Sequence, residues 1–254
     1  MAVDNNSLID NQTKLDSLLR HQVSGDSASI SYRRAVEYAE SIAAVENCIA
    51  VVSNLTDNTS RIIAGRFSDM IGLGDYGKED SIWEKKIFSL MSPEEQQEKF
   101  IAELRFFHYL KNVVPSKRDE YCLYSKLRML MDERRHIDVL HRMYYVYDNA
   151  KTSIIAAICL YSPLIFDFNG KSYVVNTVTG LYEELTHSAD SAVLSRRERQ
   201  VLALIDSGMN SRDIAERLNI SVHTVNRHRQ SILENLNAKN YHEACRTAKS
   251  MSII

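Results

Sequence analysis

The chain has 254 residues, of which 44% are hydrophobic and 25% charged, which suits two ordinary globular domains. The longest apolar run covers residues 154–160, far fewer than the roughly 20 needed to cross a bilayer, and the polar stretch after Met1 does not resemble a signal peptide. We therefore expect a cytoplasmic protein without a membrane partner.

The net charge of −2 is unevenly distributed along the chain. Residues 191–254 contain ten Lys and Arg against six Asp and Glu, a charge of +4, which leaves −6 for residues 1–190. A basic tail behind an acidic body indicates that a polyanion binds the tail alone.

The first half of the chain predicts helices and one antiparallel strand pair. A short helix is expected over residues 14–21. Apolar positions recur at helical spacing over residues 30–45, which predicts an amphipathic helix that either packs on the following domain or mediates dimerisation. Two β-branched runs, 48–53 and 60–64, flank a polar turn and predict paired strands. Ser92 as N-cap and Pro93 at the first helical position predict a long helix to about residue 110.

The segment after residue 115 predicts strands. Three long strands are expected over residues 121–131, 137–147 and 153–161. A hairpin is predicted from residues 165–168 and 171–175, because the pair Asn169-Gly170 favours a type I′ turn. Small and polar residues then predict an interdomain linker over 183–192.

This order of a helix, two strands, short helices, a longer helix and three antiparallel strands resembles that of a PAS domain over about residues 35–162. The resemblance implies an α+β domain, an antiparallel sheet with flanking helices. We assign residues 1–182 to this PAS-like sensor or dimerisation domain, with the N-terminal helix and the hairpin as additions.

The sequence indicates no metal, cofactor or catalytic site. The four cysteines are scattered and read as buried thiols, and no histidines cluster at metal-ligand spacing. The spacing G-x-G-x-x-G at residues 72–77 follows no strand, so we interpret it as a loop. His136 and His141 could be imagined as haem ligands and Trp83 as a pocket wall. Lone strand histidines are usually hydrogen-bonded or exposed, however, and we expect the tryptophan in the core.

Residues 193–254 predict an all-α domain of four helices. Ser195 caps the first helix, which ends near residue 207 with Gly208 as a left-handed cap. The second helix starts at Asn210 or Ser211, and a bend of only three residues, 219–221, leads to the third. Two short helices joined so tightly cross steeply, as in a helix-turn-helix. A fourth helix begins near residue 240.

The third helix presents three polar side chains near its N-terminal end, Asn226, Arg227 and Gln230. Arginine can donate two hydrogen bonds to guanine, and asparagine or glutamine can pair with adenine. We predict that they contact bases in the major groove of double-stranded DNA. The residues expected to contact the DNA backbone surround them: Arg212, Arg217, Ser221, His223, Thr224, Arg229 and Lys239.

Three motifs are similar throughout to the LuxR-type (GerE) helix-turn-helix of bacterial transcription regulators. They are Leu194-Ser-Arg-Arg-Glu-Arg-Gln-Val-Leu, Gly208-Met-Asn-Ser-Arg-Asp-Ile-Ala-Glu-Arg-Leu-Asn-Ile-Ser and Val222-His-Thr-Val-Asn-Arg-His-Arg-Gln-Ser-Ile-Leu-Glu-Asn-Leu. The resemblance implies that residues 226, 227 and 230 face bases, that Thr224 meets a phosphate and that the fourth helix mediates dimerisation. Two positions depart from the family pattern: Asn226 replaces a common lysine, and Tyr241 a common arginine.

These observations predict a dimeric, sequence-specific transcription regulator whose N-terminal domain responds to a small molecule or a protein. An alternative is that this domain is a ligand-free interaction scaffold. The fourth helix carries small or apolar residues on one side, and this stripe suits either a dimer contact or packing within its own domain: Ala244, Cys245, Ala248 and Met251.

Overall fold

The structure, a computed structural model, describes most of the chain and shows an antiparallel sheet with helices followed by a helical C-terminal region. The described residues are 15, 19, 27–132, 134–185, 194–236, 238, 240–250 and 253–254. Of the helix predicted over residues 14–21, Leu15 and Leu19 are described, and both are helical and buried. The rest of that segment lies outside the described residues.

Besides the helical positions Leu15 and Leu19, the described residues of the first region form four helices and eight strands. The helices are α1 (Ser27–Glu46), α2 (Phe67–Met70), α3 (Lys85–Phe88) and α4 (Pro93–Lys111), and a 3₁₀ turn covers Pro115–Glu120. The strands are β1 (Ile49–Asn54), β2 (Thr59–Ala64), β3 (Lys78–Glu79), β4 (Tyr121–Leu130), β5 (His136–Tyr147), β6 (Ile154–Pro163), β7 (Ser172–Asn176) and β8 (Tyr182–Glu184).

All eight strands form one antiparallel sheet in the order β3-β2-β1-β6-β5-β4-β7-β8. The predicted pair β1–β2 is confirmed, with Val51 opposite Ile62. The three predicted long strands are confirmed as β4, β5 and β6, and Cys159 lies opposite both Val51 and Met143. Strands β1 and β6 are neighbours in the interior of the sheet, and their pairing joins sequence-distant parts of the chain.

Both faces of β1 and β6 are buried, which explains why these strands read as continuous apolar runs. One face is covered by α1, whose Ala39 and Ala43 are almost fully buried against the sheet. The amphipathic helix predicted over residues 30–45 therefore packs on its own domain. The main hydrophobic core lies on the other face, under α2, α3 and α4.

Helix α4 begins where the sequence predicts it and carries the aromatic part of the core. The Ser92 hydroxyl accepts a hydrogen bond from the Glu95 backbone N–H at 3.3 Å, and Pro93 occupies the first helical position. Phe100 lies with its ring centroid 5.3 Å from that of Trp83, edge to face. Trp83 is buried, as expected for a core residue.

The hairpin predicted around Asn169-Gly170 is wrong. Residues 165–168 form no strand, and of the two turn residues only Gly170 has a positive φ, +86°. A type I′ turn needs positive φ at both central residues. Strand β7 pairs instead with β4 on one side and with β8 on the other. The hairpin of the structure therefore joins β7 to β8 through residues 177–181.

Strand β8 includes Glu183 and Glu184, which the sequence assigned to the linker over 183–192. Sheet pairing with β7 extends the domain into that segment. Leu185 is buried, and its carbonyl accepts a hydrogen bond from Arg105 at 3.4 Å. Residues 186–193 lie outside the described residues.

The described residues of the C-terminal region form four helices, as predicted: α5 (Arg196–Asp206), α6 (Ser211–Leu218), α7 (Val222–Leu236) and α8 (Tyr241–Ser250). Helix α5 contacts α7 and α8, and α6 contacts α7. Among the described helices of the whole chain, none combines the length and hydropathy needed to cross a membrane.

The close fit of α1 on the sheet can be tested with two matched substitutions. We expect Ala39→Leu to lower the free energy of unfolding by about 1–3 kcal/mol, because the site has no room for a larger side chain. Ala44→Leu, on the exposed side of the same helix, should change it by less than about 0.5 kcal/mol. Urea unfolding monitored by the fluorescence of Trp83 measures both, and equal midpoints would contradict this packing.

Candidate nucleic-acid interface

Helix α5 is fixed at both ends by local signals in its sequence. The Ser195 hydroxyl accepts a hydrogen bond from the Glu198 backbone N–H, and the Glu198 carboxylate accepts one from the Ser195 backbone N–H at 2.8 Å. This reciprocal arrangement is a capping box. At the other end Gly208 has φ +87° and donates its N–H to Ile205, as the sequence predicts for a left-handed cap.

The tight bend between α6 and α7 depends on an asparagine in a left-handed conformation. Asn210 caps α6 by accepting hydrogen bonds from the backbone N–H groups of Arg212 and Asp213. Asn219 then ends the helix with φ +51°, a region that asparagine tolerates better than most residues. The chain reverses there and reaches α7 after two further residues, so the helix-turn-helix geometry is encoded locally.

Helix α7 separates an apolar side from a polar side. Val225, Ile232 and Leu236 are buried in the domain. The three residues predicted to face bases are exposed on the other side: Asn226, Arg227 and Gln230. The Gln230 amide donates a hydrogen bond to Glu234 at 2.9 Å.

The start of α7 places two hydroxyl groups beside each other. Ser221 accepts a hydrogen bond from the Thr224 backbone N–H at 3.0 Å, and the two side-chain oxygens lie 2.8 Å apart. Ser221 is exposed and Thr224 half-buried. This end of the helix therefore carries hydroxyls together with the positive end of the helix dipole, both of which can bind an anion.

The predicted backbone contacts lie mostly on the exposed surface of α6 and α7. Arg212, Arg217 and His223 are exposed. Within the described part of the chain, Arg212, Arg217 and Arg227 have no acidic partner, so their charges are available to an external anion. Lys239 lies outside the described residues.

Arg229 is half-buried and packs on an aromatic ring. Its guanidinium carbon lies 4.0 Å from the ring centroid of Tyr241, which is a cation–π contact. Tyr241 is one of the two positions at which the sequence departs from the family pattern. The tyrosine therefore orients Arg229, a role that sequence reasoning did not assign to it.

Glu198 joins α5 to α7, and sequence reasoning missed it although the S-x-x-E spacing of a capping box was present. It is buried and accepts hydrogen bonds from the Ser231 hydroxyl and, at 3.4 Å, from the Asn235 amide. Burial opposes ionisation, but hydrogen bonds from Ser231 and Ser195 outweigh it and lower the pKa of Glu198. Its carboxylate thus supports the helix that carries the exposed polar face.

The small residues of α8 pack within their own domain. Ala244 and Ala248 are fully buried, and the Cys245 sulfur lies 4.0 Å from the carbonyl oxygen of Leu202 on α5. The stripe of small residues is therefore not available for a dimer contact. Met251, predicted as part of this stripe, lies outside the described residues.

Comparison with known families identifies the C-terminal domain. Residues 192–248 match the model of the family described as GerE, bacterial regulatory proteins of the luxR family. The C-terminal domain is therefore a GerE/LuxR-type helix-turn-helix, a DNA-binding domain of transcription regulators. The match does not extend into the sheet domain.

Individual relatives are similar over the same part of the chain. The oxygen regulatory protein NreC of Staphylococcus epidermidis is 43% identical over 58 residues, which are 22% of this chain and 27% of that protein. The chain thus matches about a quarter of this relative's length.

Among solved structures, the phage VqmA–DPO complex has a TM-score of 0.31 at 13% identity, with 89% of each chain covered. The Vibrio cholerae VqmA dimer has a TM-score of 0.31 at 15% identity, over 82% of this chain and 85% of that one.

The link between α5 and α7 can be tested by removing one charge. We expect Glu198→Gln to lower the protection of α5 and α7 amides against hydrogen exchange by about 1–3 kcal/mol at neutral pH, because charged hydrogen bonds are lost. Exchange measured on the full chain reads out these two helices separately. Glu216→Gln, which removes a charge from an exposed position, is the matched control, and equal protection in the two variants would contradict the link.

The same residue predicts a pH dependence. Because the folded-state pKa of Glu198 is depressed, its stabilisation is present above the pKa of the unfolded chain, roughly 4.3, and is lost as the pH falls through the folded-state value. Stability should therefore decline in acid less steeply in Glu198→Gln than in the wild type. If the stability of the two proteins declines equally steeply in acid, folding does not lower the pKa of Glu198.

Proposed function

We propose that the chain is a sequence-specific DNA-binding transcription regulator that inserts α7 into the major groove. The observation that supports this most directly is the exposed polar face of α7, formed by Asn226, Arg227 and Gln230, on the second helix of a locally encoded helix-turn-helix. A recognition helix reads base edges through side chains near its N-terminal end. The match to the luxR family covers this same region.

Each base-facing residue has a chemical role in the proposal. Arg227 donates two hydrogen bonds to the O6 and N7 atoms of a guanine. Asn226 and Gln230 each offer one donor and one acceptor, which suits adenine. Because Asn226 replaces the lysine that is common in the family, the preferred DNA sequence should differ from that of lysine-bearing relatives at the contacted base pair.

The backbone contacts set orientation and affinity without reading sequence. We assign this role to the residues predicted from the sequence: Arg212, Arg217, Ser221, His223, Thr224, Arg229 and Lys239. The contact with Tyr241 favours this role for Arg229, because it limits the conformations of a long side chain before DNA is bound.

We propose that the sheet domain is a PAS-like sensor or dimerisation domain. Its support is the order of elements, from one helix through two strands, short helices and a longer helix to three antiparallel strands. The domain then corresponds to residues 1–182 with β8 as an extension, followed by the linker and the DNA-binding domain at 193–254.

The alternative is that this domain is a ligand-free scaffold. A native mass spectrum separates the two, since a bound molecule supports sensing and a dimer without a bound molecule supports the scaffold.

A homodimer is part of the proposal. Since the small residues of α8 are buried within the domain, dimerisation through this helix would use its exposed side, which carries His242 and Arg246.

Two arginine substitutions test the division between base and backbone contacts. A preferred duplex is first selected by the wild-type protein from random DNA. Arg227→Ala should lose roughly 1–3 kcal/mol of preference for that duplex over random DNA. Arg212→Ala should weaken binding to both duplexes alike and reduce the slope of log affinity against log salt by about 1.

Arg134→Ala is the control, because it removes one positive charge from an exposed position in the sheet domain and should leave both quantities unchanged. Fluorescence anisotropy at several salt concentrations measures all three variants. Undiminished sequence-specific binding by a fragment of residues 1–190 would refute the proposal.

A further inference from the structure

Three potential metal ligands that are distant in sequence meet inside the sheet domain. Glu103 of α4, His141 of β5 and Cys159 of β6 are all buried, and their ligand atoms lie within 4.8 Å of one another. The His141 Nε2 atom is 3.9 Å from a Glu103 carboxylate oxygen. Among the described residues, no other group of three or more His, Cys, Asp or Glu side chains brings its ligand atoms this close together.

His141 is a buried polar side chain that makes no hydrogen bond with the residues that the structure describes. It is fully buried, and neither ring nitrogen has a hydrogen-bond partner among the described residues. One ring face stacks on Tyr161 at a centroid distance of 4.9 Å, which fixes the ring orientation. Buried polar groups are nearly always satisfied, so this imidazole calls for a partner from outside the described chain.

A small cavity borders two of the three side chains, Glu103 and Cys159, whereas His141 is not among the residues that line it. Its volume is about 20 Å³, and Glu103 and Cys159 line it together with Glu84 and Lys99. A cavity needs a volume of roughly 10–15 Å³ on the same scale to hold one water molecule. The space therefore holds one water or one ion and excludes an organic molecule.

The charges around the cavity favour a cation. Glu84 and Glu103 bring two carboxylates into the interior, whereas Lys99 brings one ammonium group, which donates a hydrogen bond to Glu103 at 2.5 Å. The ammonium group opposes a second cation nearby. Burial raises the pKa of Glu84 and so disfavours its charge, whereas a bound divalent ion favours the ionised form. With both carboxylates and the Cys159 thiolate ionised, the cluster and its ion have a total charge of zero. Glu103 can serve both the ammonium group and the ion, since a carboxylate that ligates a metal commonly accepts a further hydrogen bond.

We propose that Glu103, His141 and Cys159 form a binding site for a divalent transition-metal ion, with Zn²⁺ as the best fit. Zinc takes nitrogen, sulfur and oxygen ligands at about 2.0–2.3 Å, which places ligand atoms of a tetrahedral site roughly 3.2–3.8 Å apart. Because the ligand atoms lie within 4.8 Å of one another, the most separated pair needs to close by up to roughly 1.0–1.6 Å to reach this geometry.

Protonation is consistent with such a site. Burial and the Lys99 charge lower the pKa of His141 well below its ordinary value, so the ring is neutral and able to coordinate. Burial raises the pKa of the Cys159 thiol, and a metal ligand must be the thiolate, so metal binding here releases a proton. The site is independent of the DNA-binding function proposed above.

Cobalt is a direct probe of the thiolate ligand. The full-length protein is purified without chelator for elemental analysis, then stripped of metal and titrated with Co²⁺. We expect one zinc per chain as purified and, on titration, an intense near-ultraviolet band from charge transfer between the Cys159 thiolate and Co²⁺. Protein that contains no metal and gives no such band would overturn the proposal, because the cavity then holds water.

Matched variants assign the ligands. Cys159→Ser should abolish the charge-transfer band. His141→Asn should weaken Co²⁺ binding at least tenfold, because even mutation of residues that only hydrogen-bond to a metal ligand lowers metal affinity roughly 10–100-fold. Cys122→Ser and His108→Asn, which alter buried residues elsewhere in the same domain, should keep both. Loss of the band in Cys122→Ser, or its retention in Cys159→Ser, would overturn the assignment.

Trp83 fluorescence shows whether each variant is folded. If a variant does not fold, the Co²⁺ absorption spectrum of the wild-type protein still decides whether the site exists. If the protein binds metal but not DNA, the proposed function is wrong and the metal site stands. If it binds DNA but not metal, only the metal site is wrong.

Discussion

The burial of both faces of β1 and β6 is the constraint on which the sheet domain depends. Side chains on a strand alternate between faces, so a central strand needs a cover on each side. On β6 this alternation places Ile158 under α1 and Cys159 on the opposite face, toward α4. The same alternation on β5 brings His141 to that face. The helix α1 and the polar cluster are therefore two consequences of one sheet geometry.

Elements were predictable from the sequence wherever the deciding interactions are local. Ser92, Ser195 and Gly208 act within one helical turn, and the structure has the caps that their sequence context predicts. The helix-turn-helix was predicted in full for the same reason, because its bend needs only a few consecutive residues. The failed hairpin shows the limit. The pair Asn169-Gly170 is a strong local signal, but β7 takes its partner from β4, and pairing with a strand some 50 residues earlier overrides the turn.

Interactions between distant residues escaped prediction, including those at the candidate sites. Glu198 bonds to Ser231 across 33 residues, and this contact follows from how α5 and α7 cross. The burial of Ala248 is likewise set by packing on α5, which spacing along one helix does not reveal. We expected strand histidines to be hydrogen-bonded or exposed, and His141 is neither within the described chain. Its position depends on the register that sets β5 beside β6.

The buried ionic groups of the sheet domain do not have an explanation in the stability of the fold. Moving a charge into the interior costs several kcal/mol even after relaxation, and apolar residues of similar volume often serve a core as well or better. The pairing of Lys99 with Glu103 offsets part of this cost. The buried Glu84 adds to it, as does His141, which has no hydrogen-bond partner among the described residues. A core selected for stability alone would replace these residues with apolar side chains. Glu84, Lys99 and Glu103 line a cavity large enough for one ion, and His141 lies beside Glu103. This arrangement suits a binding site, whereas folding energetics do not require it.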